Sequence, residues 1–178
     1  MSDAEKIVKM IKDEEIAYVD LRFTDPRGKL QHVTAIEAAV DEDFFADGWM
    51  FDGSSIAGWK SIDQSDMKLM PDLDSGYIDP FFAEKTLCLH CTVLEPDTGE
   101  IYERDPRGTA EKAEAYLKAS GVGDKSFWGP EAEFFVFDDV RYSVEMNKVA
   151  YEVDAIDASW NTDRDFEMGN MGHRPGIK

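Results

Sequence analysis

Trp128-Gly129-Pro130-Glu131-Ala132-Glu133-Phe134-Phe135-Val136-Phe137-Asp138 sets two carboxylates among aromatic side chains. In an extended strand alternate side chains point to opposite faces, so Glu131 and Glu133 share a face and lie about 6–7 Å apart along it. The apolar run from Phe134 to Phe137 predicts a buried strand, where unpaired carboxylates are strongly disfavoured unless they neutralise or meet a cation. Two hard divalent cations, one anchored by each glutamate, resolve that conflict. The alternative is an edge strand whose glutamates face water.

Beyond this stretch, residues 140–150 and 151–156 read as the two arms of a hairpin running into Asp157-Ala158-Ser159-Trp160-Asn161. Residues 169–178, with His173 and Arg174, carry neither helix nor strand signal. On the other side, Asp105 suits a helix cap and Pro106 the first helical position. Ala110, Ala113, Tyr116 and Leu117 supply a stripe expected to be buried, and Ser120-Gly121 a stop. One helix, one strand and one hairpin are too little to cover the aromatic strand, so residues 105–178 read as the start of a larger domain.

The first hundred residues have a different pattern. Ser2-Asp3-Ala4-Glu5 is a capping box, and Ile7, Met10 and Ile11 follow at helical spacing up to about Asp13. Residues 16–23 and 30–36 favour strands, with Asp25-Pro26-Arg27-Gly28 between them as a turn. His32 reads as a polar strand residue. Residues 41–48 read as a short helix or turn with an acidic start. In residues 50–59, Gly53 and Gly58 bracket Asp52, Ser54 and Ser55, and Phe51 and Trp59 require cover that a bland loop does not provide. That marks a functional or interface loop, though not a phosphate loop of the Walker type. Residues 66–70, 85–94 and 101–103 complete a set of strands joined by short turns. The result is an α+β arrangement of one small sheet on helix.

Of 178 residues, 43% are hydrophobic, enough for a core, and the net charge is −19. So acidic a chain lacks the basic face that nucleic acid or an anionic membrane requires. No apolar run is long enough to span a bilayer and no signal-peptide pattern is present, which places the expectation in the cytoplasm. Cys88, His90 and Cys91 invite a zinc reading, but a strand sets Cys91 opposite the other two and no second ligand pair follows. Buried thiols are the simpler expectation.

Taken together, Phe51-Asp52-Gly53-Ser54-Ser55-Ile56-Ala57-Gly58-Trp59, Arg104-Asp105-Pro106-Arg107, Gly129-Pro130-Glu131-Ala132-Glu133-Phe134-Phe135 and Gly172-His173-Arg174-Pro175 with Lys178 resemble the N-terminal part of a bacterial type I glutamine synthetase. The resemblance implies a β-grasp domain over 15–99, then the truncated beginning of the catalytic domain over 105–178. It further implies a homo-oligomer, a dodecamer of two stacked hexameric rings. Glu131 matches a metal ligand near the phosphates of ATP, and Glu133 a ligand of the ion near glutamate and ammonium. Two Mg²⁺ or Mn²⁺ ions per site and ATP as co-substrate go with them. Asp52 matches the residue that binds ammonium and takes a proton from it, and Ser55 its neighbour in a loop that completes the adjacent subunit's site. That would make Trp59 an interface residue. The implied partners are ATP, L-glutamate and ammonium. Two rival readings remain: a glutamate–amine or γ-glutamyl-polyamine ligase, and a non-catalytic β-grasp module that joins or regulates an oligomer.

Overall fold

The computed structural model describes residues 2–161. The chain forms two compact units, Met1–Ser126 and Phe127–Lys178. The expectations placed on residues 169–178, including His173 and Arg174, lie outside the described residues.

In the first unit, helix α1 (Asp3–Asp13) begins with the predicted capping box. The Ser2 hydroxyl accepts the Glu5 amide at 3.1 Å, and the Glu5 carboxylate accepts the Ser2 amide at 2.6 Å. Ile7 and Ile11, one turn apart, face the core. The chain leaves the helix through Glu15 at φ 53°, while the Ile16 amide bonds back to the Ile11 carbonyl at 2.9 Å. A left-handed residue with a Cβ costs about 1–2 kcal/mol, and glycine avoids that at some loss of chain entropy. Glu15→Gly is therefore expected to stabilise the chain by about 0.5–1 kcal/mol. The check is a higher denaturant midpoint at unchanged slope.

Strands β1 (Tyr18–Thr24) and β2 (Leu30–Ile36) form the predicted hairpin, in register from Tyr18↔Ile36 to Thr24↔Leu30. Asp25 builds its turn. The Asp25 carbonyl accepts the Gly28 amide at 2.9 Å, and Oδ1 accepts those of Arg27 and Lys29 at 2.9 and 3.0 Å. Gly28 sits at φ 81°. Helix α2 (Glu42–Asp47) is capped by Asp41, whose side chain accepts the Phe44 amide at 2.9 Å.

Four more strands follow: β3 (Trp49–Asp52), β4 (Asp66–Pro71), β5 (Tyr77–Ile78) and β6 (Thr86–Leu94). The sheet order is β2-β1-β6-β4-β3, with β5 paired to β6. The central pair β1 and β6 is parallel, and its inward residues Val19, Leu21, Phe23, Leu87, Leu89, Cys91 and Val93 meet Ile7, Ile11, Phe44 and Phe45 in one core. Each fully buried aliphatic side chain there contributes about 1.5–3 kcal/mol.

Asp20 is also buried, yet fully partnered. It accepts from His32 Nδ1 at 2.7 Å, Thr34 Oγ1 at 2.6 Å and Arg22 Nε at 2.8 Å. Burial pushes its carboxyl up, but those donors outweigh it and hold the group below its ordinary value. Arg22 continues the network to Tyr77 and Asp79. His32 is thus the polar strand residue expected, tied to a carboxylate.

Strand 101–103 shrinks to one bridge, Leu94↔Ile101, because Asp105 diverts the chain into helix α3 (Pro106–Ser120). Asp105 is fully buried. Its carboxylate accepts the Arg107 and Gly108 amides at 3.1 and 3.2 Å and the Val93 amide of β6 at 3.0 Å, so one side chain starts the helix and ties it to the sheet. Gly121 closes the helix at φ 70°. The stripe expected to be buried is not: Ala110, Ala113 and Tyr116 are exposed and Leu117 is half-buried. The helix is held near its start, with Gly108 packed against Ile101 and the Glu111 carboxylate accepting the Thr92 hydroxyl at 3.2 Å.

In the second unit, β7 (Asp139–Glu145) and β8 (Lys148–Asp154) form a hairpin around Met146-Asn147 rather than around residue 150. That register pairs Val140 with Val153, Tyr142 with Tyr151 and Val144 with Val149, which collects the apolar side chains on one face. A one-residue slip would divide them. Residues 127–138 do not form the predicted buried strand. Phe134 and Phe135 are more than 80% exposed. Near the end of this stretch Phe135 and Phe137 stack with ring centroids 6.2 Å apart. It is anchored to the hairpin by Asp138, whose amide donates to the Asp154 carbonyl at 2.8 Å and whose Oδ2 accepts the Ile156 amide at 2.7 Å.

Candidate active-site residues

Asp52 is the last residue of β3 and the cap of the 3-10 turn Gly53–Ser55. Strand β3 pairs with β4, setting Asp52 opposite Asp66. The side chain is exposed and held locally: Oδ1 accepts both the amide of Ser54 at 2.8 Å and its hydroxyl at 2.6 Å. Oδ2 has the Ser55 hydroxyl at 3.4 Å. The hydroxyl and amide of Ser54 hold the Asp52 carboxyl below the usual carboxylate range, against a small opposing effect of desolvation. Asp52 is accordingly an anion at neutral pH, presented to solvent beside the exposed Ser55.

The turn rests on Gly53, whose amide donates to the Ser65 carbonyl at 2.6 Å. A Cβ at Gly53 would overlap Sδ and Cγ of Met67, which is fully buried. Gly53→Ala is expected to cost about 1–3 kcal/mol through overpacking, read as a lower melting temperature, and to displace Asp52 with it.

The far end of the loop is also fixed. The Gly58 carbonyl accepts Arg104 Nη1 at 2.7 Å. Lys60 Nζ donates to both oxygens of Glu95 at 2.8 Å and lies over the Tyr102 ring. Trp59 corrects the expectation of an interface residue. It is 7% exposed and packs in the chain's own core against Phe23, Phe51 and Tyr102. The cover those aromatics require comes from β1 and the segment after β6, which the local sequence does not reveal. The polar residues Asp52 and Ser55 remain outside.

Glu131 and Glu133 lie in the second unit, both exposed. Among the described residues no group of three or more His, Cys, Asp or Glu side chains could hold a metal ion. The two glutamates offer hard oxygen donors, the type Mg²⁺ and Mn²⁺ take, but they fill only part of a coordination shell. Cys88 and Cys91 are free and buried. Burial pushes the Cys91 thiol up to about 12, which makes it a packing residue and not a ready ligand.

The sequence motifs contain Ser54 and Arg104 but assign neither a role, and they do not include Lys60. For Ser54 the signal was available, since an aspartate two residues before a serine in a glycine-containing turn accepts from the backbone ahead of it. The two clamps join residues 46 and 35 positions apart and leave no local trace.

The first unit is thus an α+β sheet carrying an anchored acidic loop, and the second unit bears two exposed glutamates. Residues 15–96 match the family model for the glutamine synthetase β-grasp domain, and residues 103–174 that for the glutamine synthetase catalytic domain. The chain is 70% identical over all 178 residues to glutamine synthetase of Cereibacter sphaeroides and 68% identical to that of Rhodobacter capsulatus. It spans 38% and 40% of the lengths of these relatives. The cryo-EM structure of Plasmodium falciparum glutamine synthetase shares the fold, with a TM-score of 0.67 over 92% of this chain and 32% of that one at 21% identity. The chain belongs to the glutamine synthetase family.

Proposed function

We propose that this chain serves the ATP-dependent ligation of ammonia to L-glutamate, giving L-glutamine through a γ-glutamyl phosphate. The observation that carries this reading is the exposed, anchored Asp52 in a chain 70% identical throughout to a glutamine synthetase. Asp52 is the catalytic residue. Its carboxylate attracts ammonium and takes one proton from it, and the freed lone pair attacks the γ-carbonyl carbon as phosphate departs. Ser55, exposed beside it, contributes to the ammonium site. Glu131 would hold the ion near the ATP phosphates and Glu133 the ion near glutamate. Bound Mg²⁺ or Mn²⁺ neutralises charge on the phosphoryl oxygens.

The β-grasp domain is assigned to 15–99 and the catalytic portion to 105–178. The Asp52 loop serves the site of a neighbouring copy in a homo-oligomer of two hexameric rings, in the cytoplasm. No helix among the described residues is long and apolar enough to cross a membrane. Alone, the 178-residue chain is expected to make no glutamine, since two carboxylates do not complete a two-metal site.

The test places this chain in a complete glutamine synthetase, in place of the matching segment of the Cereibacter sphaeroides enzyme, and assays glutamine formation. Activity with ammonium in clear preference to methylamine or a polyamine is expected. Preference for the amines would favour the rival ligase, and assembly without turnover would favour the regulatory module.

A further inference from the structure

We propose that Ser54 is a positioning residue for Asp52: it occupies Oδ1 from two directions and leaves Oδ2 as the oxygen that meets ammonium. The inference rests on the reading that Asp52 faces ammonium, and it assigns separate tasks to the two carboxylate oxygens and the two serines.

The amide and the hydroxyl of Ser54 both end on Oδ1, at 2.8 and 2.6 Å. A carboxylate oxygen offers about two in-plane lone pairs, so Oδ1 has none left for a substrate. Oδ2 has the Ser55 hydroxyl at 3.4 Å, well beyond the ~2.7–2.8 Å typical of such a bond. Ser54 is half-buried while Ser55 is exposed, so the first hydroxyl is committed inward and the second is available to a ligand. The arrangement is fixed from below by the Gly53 amide on the Ser65 carbonyl at 2.6 Å.

The groups facing Asp52 are few. Asp66 pairs with it across β4, Ser54 supplies the two short hydrogen bonds, and the hydroxyls of Ser55 and Ser65 add weaker interactions. Two donors on one oxygen also fix the plane of the carboxylate. A proton acceptor that must meet ammonium while its nitrogen lines up for attack needs that plane held.

The test compares Ser54→Ala and Ser54→Thr with the unsubstituted chain in the complete glutamine synthetase described above, following kcat/KM for ammonium across pH together with KM for glutamate and ATP. Loss of charge-assisted hydrogen bonds of this kind predicts a rise of about 10-fold or more in KM for ammonium in Ser54→Ala. The acid limb of the kcat/KM profile should move to higher pH, glutamate and ATP should be unaffected, and threonine should restore most of the loss. Carbon-13 NMR titration of Asp52 in the 178-residue chain should show the same upward movement in Ser54→Ala. Unchanged ammonium KM and acid limb would overturn the assignment, as would equal losses for all three substrates in both variants. Failure of the reading beneath it looks different, because Asp52→Asn would then leave ammonium use intact.

Discussion

Asp52→Asn in a complete glutamine synthetase carrying this chain is expected to lower kcat/KM for ammonium by about 10²–10⁴-fold, the range for losing a positioned general base. Asparagine keeps the size of the side chain and an oxygen that accepts from Ser54, so the 3-10 turn at Gly53–Ser55 should survive. What disappears is the negative charge and the ability to take a proton. Because Ser54 holds the carboxyl of Asp52 below its ordinary value, the native residue stays ionised well into the acid range. The acid limb of ammonium use should therefore lie below the pH at which an unconstrained aspartate protonates. Asp52→Asn should abolish that limb while leaving ATP binding in place. Steady-state kinetics across pH with ammonium as varied substrate check both points.

Glu133→Ala is expected to have the second large effect, on metal. Groups that merely support a metal ligand are worth about 10–100-fold in affinity, so removing a direct oxygen donor should weaken Mn²⁺ binding at one of the two sites by at least that much. Turnover should fall with it, since the glutamate γ-carboxylate that accepts the phosphoryl group would lose the cation beside it. Titration of Mn²⁺ by electron paramagnetic resonance gives the affinity without depending on activity. Glu131→Ala should instead weaken the ion on the ATP side, so the two variants should separate in their apparent affinities for nucleotide and for glutamate. Equal Mn²⁺ affinity in native and variant enzyme would remove Glu133 from the metal site.

Much of the first unit was legible because its signals are local. Ser2 with Glu5, Asp25 with Gly28, and Asp105 with Pro106 each state a cap or turn within four residues, and each is found in place. The hairpin of β1 and β2 follows from two short apolar runs on either side of one such turn. Less accessible was anything that depends on what lies opposite. The parallel pairing of β1 with β6 joins residues nearly seventy positions apart, Tyr18 to Thr86, and no periodicity encodes it. Trp59 looked like a residue in need of a partner chain because Phe23 and Tyr102, which cover it, are distant in sequence.

The failures in the second half share one cause. Phe134 to Phe137 and the stripe on α3 carry the composition of buried elements, and among the described residues they remain largely exposed. Composition reports that a surface is suited to burial, not what buries it. Glu131 and Glu133 stood out as an anomaly, charge set among aromatics, although residues 127–138 do not form the strand expected to hold them. For Asp52 the sequence supplied the residue and its loop. The structure supplied the bonds that orient it, because the choice between two carboxylate oxygens is a matter of tenths of an ångström.

The most direct test of the proposal is subunit complementation. Asp52→Asn and Glu133→Ala subunits of the complete enzyme, each inactive alone, are dissociated, mixed in equal amounts and reassembled, and glutamine formation is measured. If the Asp52 loop of one copy completes a site whose metals are held by Glu131 and Glu133 of its neighbour, random pairing restores about a quarter of the native rate, since one interface in four joins two intact contributions. Mixed oligomers that assemble and yet stay at the background of the two parents would contradict it.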